Sequence, residues 1–367
     1  MRSLHIDTAR SWRGGQNQVL LTVTGLGEAG HAATLLAHEH GELHRRAREG
    51  LRCLAFTPRS EFDVRAGWQL ARVLVDLRPE VVHAHDPMAV ALVAMALQMG
   101  KIARRPLVVA SRRVDFHLKQ HAFSKWKYRH VDVFIAASAL IASVLERDGV
   151  DPARIEVVHD GVNVDLIDKQ PPIDAHAAFW LPHGAPLVGN IAALAPHKGQ
   201  RYLVAAAATV VRAIPDARVL IIGEGDLRET LNHQIRKLGL ERHVLLTGFR
   251  DDALGLMKSL DLFVMSSVTE GLGSVILEAM ACGRAVVGTR AGGIPEAVVD
   301  GTSGLLVPPH DETALAEAIE RLLGDADLRD RYGRAGRAIV EQSFGVDALV
   351  RGTAAVYERH QAPGVLE

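Results

Sequence analysis

Two glutamates eight residues apart are the strongest chemical signal in this chain. Glu270 precedes Gly271 and Gly273 in the run EGLGSVILEAMACG, and Glu278 lies among Val275, Ile276, Leu277, Ala279, Met280 and Ala281. Those apolar residues cover almost every direction around a helix axis, so the helix is expected to be buried nearly all round. An unpaired carboxylate at Glu278 would then cost several kcal/mol. It needs either a buried Arg or Lys, or a hydroxyl pair such as a ribose or hexose presents, to which a carboxylate is a bidentate acceptor. Glu270 and Glu278 bracket the N-terminus of one helix, a natural place for a phosphate. A phosphate there with sugar hydroxyls on the flanking carboxylates describes a sugar nucleotide. The alternative is a structural ion pair at Glu278 and a turn residue at Glu270.

Three further sets could join that chemistry. In WRGGQNQVLL, Gly14 and Gly15 let a ligand approach the backbone closely, and a helix starting near Gln16 aims free N–H groups at it. An ordinary tight turn would look the same. In APHKGQ, Lys198 stands where it can neutralise a diphosphate, although a solvated lysine is the commoner fate of that residue type. In EVVHAHDP, His83 and His85 end a strand, and His85 is placed to hydrogen-bond a sugar hydroxyl or a leaving group. The His-Ala-His alternation also suits zinc, but no third ligand stands at helpful spacing, so no metal is expected.

These loops must be held by strands. From Leu187 onward PLVGNIAAL, ARVLIIG, HVLLTGF, LDLFVMSS, AVVGT and GLLVP alternate with helical periodicity, the rhythm of a parallel sheet wrapped by helices. The first half repeats this with SLHIDTA, LRCLAF, EVVHAHD, LVVASRR and DVFIAAS. Between them, DKQPPIDAHAAFWLPHGAP carries four prolines and no period. The expected fold class is α/β, with two doubly wound Rossmann-like domains facing a central cleft: residues 1–163, residues 164–344, and a C-terminal helix in 345–367 that packs back on the first domain. Ligands in such sheets sit beyond the carboxyl ends of the strands, where all of these loops fall.

A chain of 367 residues is long enough for two cores. Its 42 basic and 43 acidic residues cancel, which gives no global bias toward nucleic acid. Two distant cysteines fit a reducing compartment. MRSLHIDTA lacks the apolar core of a signal peptide, so a cytoplasmic location is expected. Residues 101–130 hold nine Lys or Arg against the single acid Asp115, interleaved with Phe116, Phe123, Trp126 and Tyr128. That mixture suits the anionic inner face of the cytoplasmic membrane better than nucleic acid. Arg113, ending a strand with Arg112, could instead hold an anionic acceptor.

The Glu-x7-Glu block followed by GRAVVGTRAGGIPE, the upstream LLTGFRDD and ALAPHKG, the HAHDP strand end and the N-terminal GG loop occur in one order. Together they resemble the GT4-type family of retaining glycosyltransferases (glycosyl transferases group 1) with the GT-B fold, over essentially the whole chain. The resemblance implies that Glu278 holds the ribose hydroxyls and Glu270 a hydroxyl of the donor sugar. It puts the backbone of Leu272, Gly273 and Ser274 on the sugar and diphosphate, and Lys198 on the diphosphate. The backbone around Arg250 meets the base, Gly15 and Gln16 close over the phosphate, and His85 faces the transferred sugar. It implies front-face transfer with retention from a nucleotide sugar, with a UDP-sugar expected as donor. The basic stretch 101–130 leads to the expectation of a cell-envelope glycan or glycolipid acceptor, and since no Asp-x-Asp pair stands beside the donor loops, no metal or other cofactor is expected.

Two departures stand out. Many relatives carry an arginine where this chain has Ala193, so a substitute cation is expected from Arg13, Arg113 or Arg250. Asp160 replaces a common asparagine, a change expected to affect a turn rather than the chemistry. A nucleotide-sugar epimerase and an inactive nucleotide-sugar binding protein are the rival readings, and incubation with a UDP-sugar alone separates them.

Overall fold

A computed structural model describes residues 1–361, so the last six residues of the expected C-terminal segment, 362–367, lie outside the described residues. The chain forms two compact units, one of Met1–Gly161 with the residues from Val346 on, the other Val162–Gly345.

The first unit contains a seven-stranded parallel sheet: β1 (Arg2–Asp7), β2 (Ala32–His38), β3 (Cys53–Phe56), β4 (Val81–Ala84), β5 (Leu107–Arg112), β6 (Val133–Ala136) and β7 (Ile155–Val157). Their spatial order is β3-β2-β1-β4-β5-β6-β7. The order reverses between β1 and β4, the switch point at which ligands of doubly wound sheets collect. β2 was not among the strands expected from sequence. Its run AATLLAH is made of residues that favour helices at least as well, and only pairing between β1 and β3 makes it a strand.

Behind β4 the helix Pro87–Met99 is the apolar segment MAVALVAMALQM, buried as expected. Asp86 caps it by accepting from Met88 N and Ala89 N, and Pro87 opens it where its missing N–H costs nothing. Among the described residues no helix is long and apolar enough to cross a membrane. The closing helix Val346–His360 packs on Gly14–Glu28, the helix after β1. The approach is close enough that a Cβ at Gly25 would run into Val350.

The second unit holds a six-stranded parallel sheet: β8 (Leu187–Ile191), β9 (Arg218–Ile222), β10 (Val244–Gly248), β11 (Leu262–Met265), β12 (Ala285–Thr289) and β13 (Gly304–Val307). The order β10-β9-β8-β11-β12-β13 reverses between β8 and β11. Lys198 follows β8 and Glu270 follows β11, so the two sit on either side of this second switch point.

Candidate functional site

In the second unit the loop after β11 leads into the helix Ser274–Ala281. Gly273 precedes it in the left-handed region (φ 82°), and no side chain caps the helix. Its first N–H groups therefore face outward, ready for an anion. Glu270 and Lys198 stand before this end, Lys198 Nζ 2.6 Å from Glu270 Oε2. Ser267 Oγ donates to the same oxygen at 3.1 Å. Glycines make the close packing possible. A Cβ at Gly199 (φ 64°) would collide with the carbonyl oxygen of Ser266, and one at Gly292 (φ 60°) with that of Glu270.

The helix is not buried all round, as the sequence suggested. Ile276, Leu277, Ala279, Met280 and Ala281 are buried, whereas Ser274, Val275 and Glu278 share a face that keeps some surface. Among the described residues no cation and no hydroxyl meets the Glu278 carboxyl. Burial alone raises its pKa from 4.5 to about 7. Of the two partners weighed for this carboxylate, the described residues do not supply the cation.

Ala193 is exposed at the end of the β8 segment, and its carbonyl accepts from Gln200 Nε2 at 2.9 Å. Two of the three candidate substitutes for the missing arginine are already held by carboxylates. Arg250 forms a forked pair with Asp252 at 2.6 and 2.7 Å, and Arg113 bonds Asp160 at 2.9 Å. Arg13 is exposed just before the GG loop. Arg250 follows β10, three strand positions from β11 or about 14 Å at ordinary strand spacing. It is therefore in the same row of loops as Lys198 and Glu270 without touching them. Phe249 beside it is 65% exposed, an aromatic face open to a base.

In the first unit three neighbouring strands place the expected residues. Gly14, Gly15 and Gln16 follow β1, His85 follows β4 and Arg113 follows β5. Gln16 Nε2 donates to Asp7 Oδ2 at 3.2 Å, and Thr8 donates through N and Oγ1 to Asp86 at 2.6 and 2.9 Å. Asp7 is buried, and burial together with the Asp86 charge raises its pKa to about 6.

The fold supplies what sequence spacing did not, a third imidazole beside His83 and His85. His5 on β1 lies in register with His83 on β4, and nitrogens of the three rings come within 4.8 Å of one another. Each ring nitrogen already has a protein partner. His5 bonds Ser3 and His85, His83 bonds Tyr357 and Ser111, and His85 bonds His5 and Arg113. The Arg113 guanidinium, 3.3 Å from His85 Nδ1, would repel a cation. The cluster is thus built as a hydrogen-bond chain. His5 and Tyr357 were invisible to sequence reasoning. The only available sign of His5 was its place two residues before Asp7 at the end of a first strand.

Asp160 is corrected from its expected role. It pairs with Arg113, which touches His85, so it belongs to this network and not merely to a turn. The basic stretch also needs one correction. Lys127 is buried, bonded to Glu61 at 2.5 Å and to the Pro87 carbonyl at 2.9 Å, and is unavailable to a surface partner. Lys119, Lys125 and Arg129 are exposed.

Comparison with known proteins identifies the family and the fold. Residues 174–339 match the family model of glycosyl transferases group 1, and residues 12–166 that of glycosyltransferase family 4. A glycogen synthase of Mycobacterium tuberculosis (strain CDC 1551 / Oshkosh) is 30% identical over 313 residues, 80% of this chain and 72% of that protein. The lipopolysaccharide core biosynthesis glycosyltransferase LpsE of Rhizobium meliloti (strain 1021) is 34% identical over 168 residues, 46% of this chain and 48% of that protein. The crystal structure of Anabaena HepE in complex with UDP superposes with a TM-score of 0.84 at 24% identity, covering 98% of this chain and all of that one. That last likeness concerns the fold, two parallel-sheet Rossmann-like domains of the GT-B type. With both family models matched in order along one chain, this protein belongs to the GT4-type glycosyltransferases, the glycosyl transferases group 1.

Proposed function

We propose that the protein moves a hexose from a UDP-sugar to a hydroxyl of a cell-envelope glycan or glycolipid, with retention at the anomeric carbon and without a metal ion. The carrying observation is Glu278, a desolvated carboxyl with no partner among the described residues, beside an uncapped helix end and the Lys198–Glu270 pair. A ribose diol on Glu278 would replace the water lost on burial. The diphosphate would lie across the helix N-terminus and Lys198, whose ammonium Glu270 keeps in place. Glu270 would accept from a hydroxyl of the donor sugar, with the backbone of Gly271 to Ser274 along it. The loop of Phe249 and Arg250 would meet the base. In the first unit Gly14, Gly15 and Gln16 would close over the phosphate, and His85 would face the transferred sugar. The UDP in the HepE structure and the lipopolysaccharide role in the name of LpsE support the choice of donor base and acceptor class.

The test is a panel of UDP-sugars with envelope-type acceptors, the product read by proton NMR. Retention predicts the donor's own anomeric configuration in the product, and EDTA is expected to leave the rate unchanged. An inverted product, or a rate lost in EDTA and restored by magnesium or manganese, would refute the corresponding part. Isomerised UDP-sugar without acceptor would favour the epimerase.

The membrane reading rests on the surface around the helix Ala122–Tyr128. Phe62 stacks on Phe123 at 4.3 Å and Phe123 on Trp126 at 5.3 Å, and Phe62 and Phe116 are 64% and 60% exposed. Lys119, Lys125 and Arg129, in or beside the same helix along the chain, are exposed. Each cation near an anionic surface contributes about 1 kcal/mol. Co-sedimentation with anionic vesicles at low salt is therefore expected, weakened roughly 100-fold when those three are neutralised together. Binding that ignores the triple change would remove the membrane claim and leave the transferase standing.

A further inference from the structure

The hydrogen-bond chain through His85 has its direction set at one end. A guanidinium has only donors, so Arg113 Nη1, 3.3 Å away, donates to His85 Nδ1. Neutral His85 then keeps its proton on Nε2, and that N–H meets His5 Nδ1 at 3.0 Å. The two rings are 15° from parallel with centroids 5.3 Å apart, a spacing compatible with an in-plane N–H···N bond. His5 in turn has its proton on Nε2 and donates it to Ser3 Oγ at 3.1 Å. Burial first, and the Arg113 charge second, hold His5 down to about 3; burial likewise keeps His85 well below the ordinary histidine range. Both rings are neutral wherever sugar transfer would be assayed.

The Arg113 end of the chain is itself anchored. Arg113 Nε donates to Asp160 Oδ1 at 2.9 Å. The next residue, Gly161, is clamped by the buried Gln18 side chain, which donates to its carbonyl at 2.8 Å and accepts from its N–H at 2.9 Å. His85 also stacks on His83, centroids 4.1 Å apart. One imidazole is thus restrained on its face and at both nitrogens.

We propose that Arg113 and His5 are positioning residues for glycosyl transfer, holding His85 as a neutral imidazole in one tautomer and one orientation, with Asp160 cancelling the Arg113 charge. The proposal rests on the reading of His85 as the residue facing the transferred sugar. Positive charge grows on a sugar ring as its bond to the leaving group loosens. An imidazolium beside it would oppose that charge, and a freely turning ring would spend part of its time misaligned. A neutral ring of fixed direction avoids both. Asp160, an aspartate where relatives commonly have asparagine, supplies the negative charge that such a use of Arg113 requires.

The test uses the full chain with 15N-labelled histidine, its tautomers read from long-range proton–nitrogen NMR spectra and assigned with His85→Gln and His5→Gln. The wild type is expected to show Nε2–H tautomers at both His85 and His5. Arg113→Leu is expected to shift His85 Nδ1 and mix its tautomers, while Arg113→Lys, which still donates, keeps the wild-type pattern. In kinetics with a UDP-sugar, His5→Leu is expected to lower kcat up to roughly 100-fold with little change in donor KM, the signature of misplacement. His5→Gln, whose carbonyl can accept from His85 Nε2–H, should recover most of that loss. An Nδ1–H tautomer at His85 in the wild type would overturn the proposal. So would equal damage from His5→Gln and His5→Leu, or stoichiometric zinc binding that needs all three histidines. If Arg113→Leu does not fold by circular dichroism, the wild-type tautomers and the His5 pair decide alone. If the tautomers are as expected but His85→Gln leaves kcat intact, the placement of His85 at the sugar fails while the hydrogen-bond chain stands.

Discussion

Glu278→Gln is expected to stabilise the free protein at pH 8 and to weaken its grip on UDP at the same time. The carboxyl has a pKa of 4.5 when solvated and about 7 in the fold, and burial is the cause. The folded state therefore holds the proton more tightly than the unfolded chain. Stability from this group is fully present below pH 4.5 and is lost as pH rises through about 7, a total of about 3 kcal/mol. Above pH 7 the wild type bears that cost, and a neutral isostere does not. Thermal scans should show the variant melting several degrees higher at pH 8, with the difference gone by about pH 4. Calorimetric titration with UDP at pH 8 should show roughly 10- to 100-fold weaker binding, because a charged acceptor of two hydroxyls has been lost. Equal stabilities at both pH values would mean that the carboxyl is not desolvated. Unchanged UDP affinity in a folded variant would remove it from the ribose.

Lys198→Met should act on turnover more than on folding. In the proposed function the lysine would balance charge that grows on the leaving diphosphate, and removing such a group typically costs 100- to 1,000-fold in kcat. It also strands Glu270, which lies 2.6 Å away with only 12% of its side chain exposed, at a cost of about 1 to 3 kcal/mol. Neutralising both residues, Lys198→Met with Glu270→Gln, should restore most of the stability and none of the turnover. Recovery of turnover in the double variant would show that the pair is structural.

The placement of Glu270, Glu278 and Lys198 on the second unit's loops and helix was readable in sequence because its elements are local. A strand, a glycine-bearing loop and an apolar helix carry Glu270 and Glu278 within one continuous segment, and one charge in an apolar run is visible without a fold. Lys198 needed only its position between a strand and a helix. The His85 network was not readable, because its members come from five separate parts of the chain. His5 and His83 become neighbours only through parallel pairing of β1 with β4, and Tyr357 arrives from 274 residues away. Asp160 looked like a turn residue because its partner Arg113 is 47 residues earlier, with no periodicity linking them. Lys127 looked like part of a basic surface because the composition of residues 101–130 cannot say which face of a short helix meets Glu61.

The helix Val346–His360 has a consequence for how the chain is made. It seats Leu349, Val350, Val356 and Tyr357 against Leu26, Val81, Val109 and Val133, and its Tyr357 hydroxyl meets His83 Nδ1 at 2.6 Å. A ribosome delivers Gly161 and must then add a further 200 residues before residue 361, roughly 10 to 40 s at ordinary synthesis rates. Throughout that interval the first unit has left the tunnel with an apolar strip uncovered and a buried histidine short of its partner. The second unit, made from one unbroken stretch, can complete its core first. The first unit is thus begun before the second and receives its last helix after it.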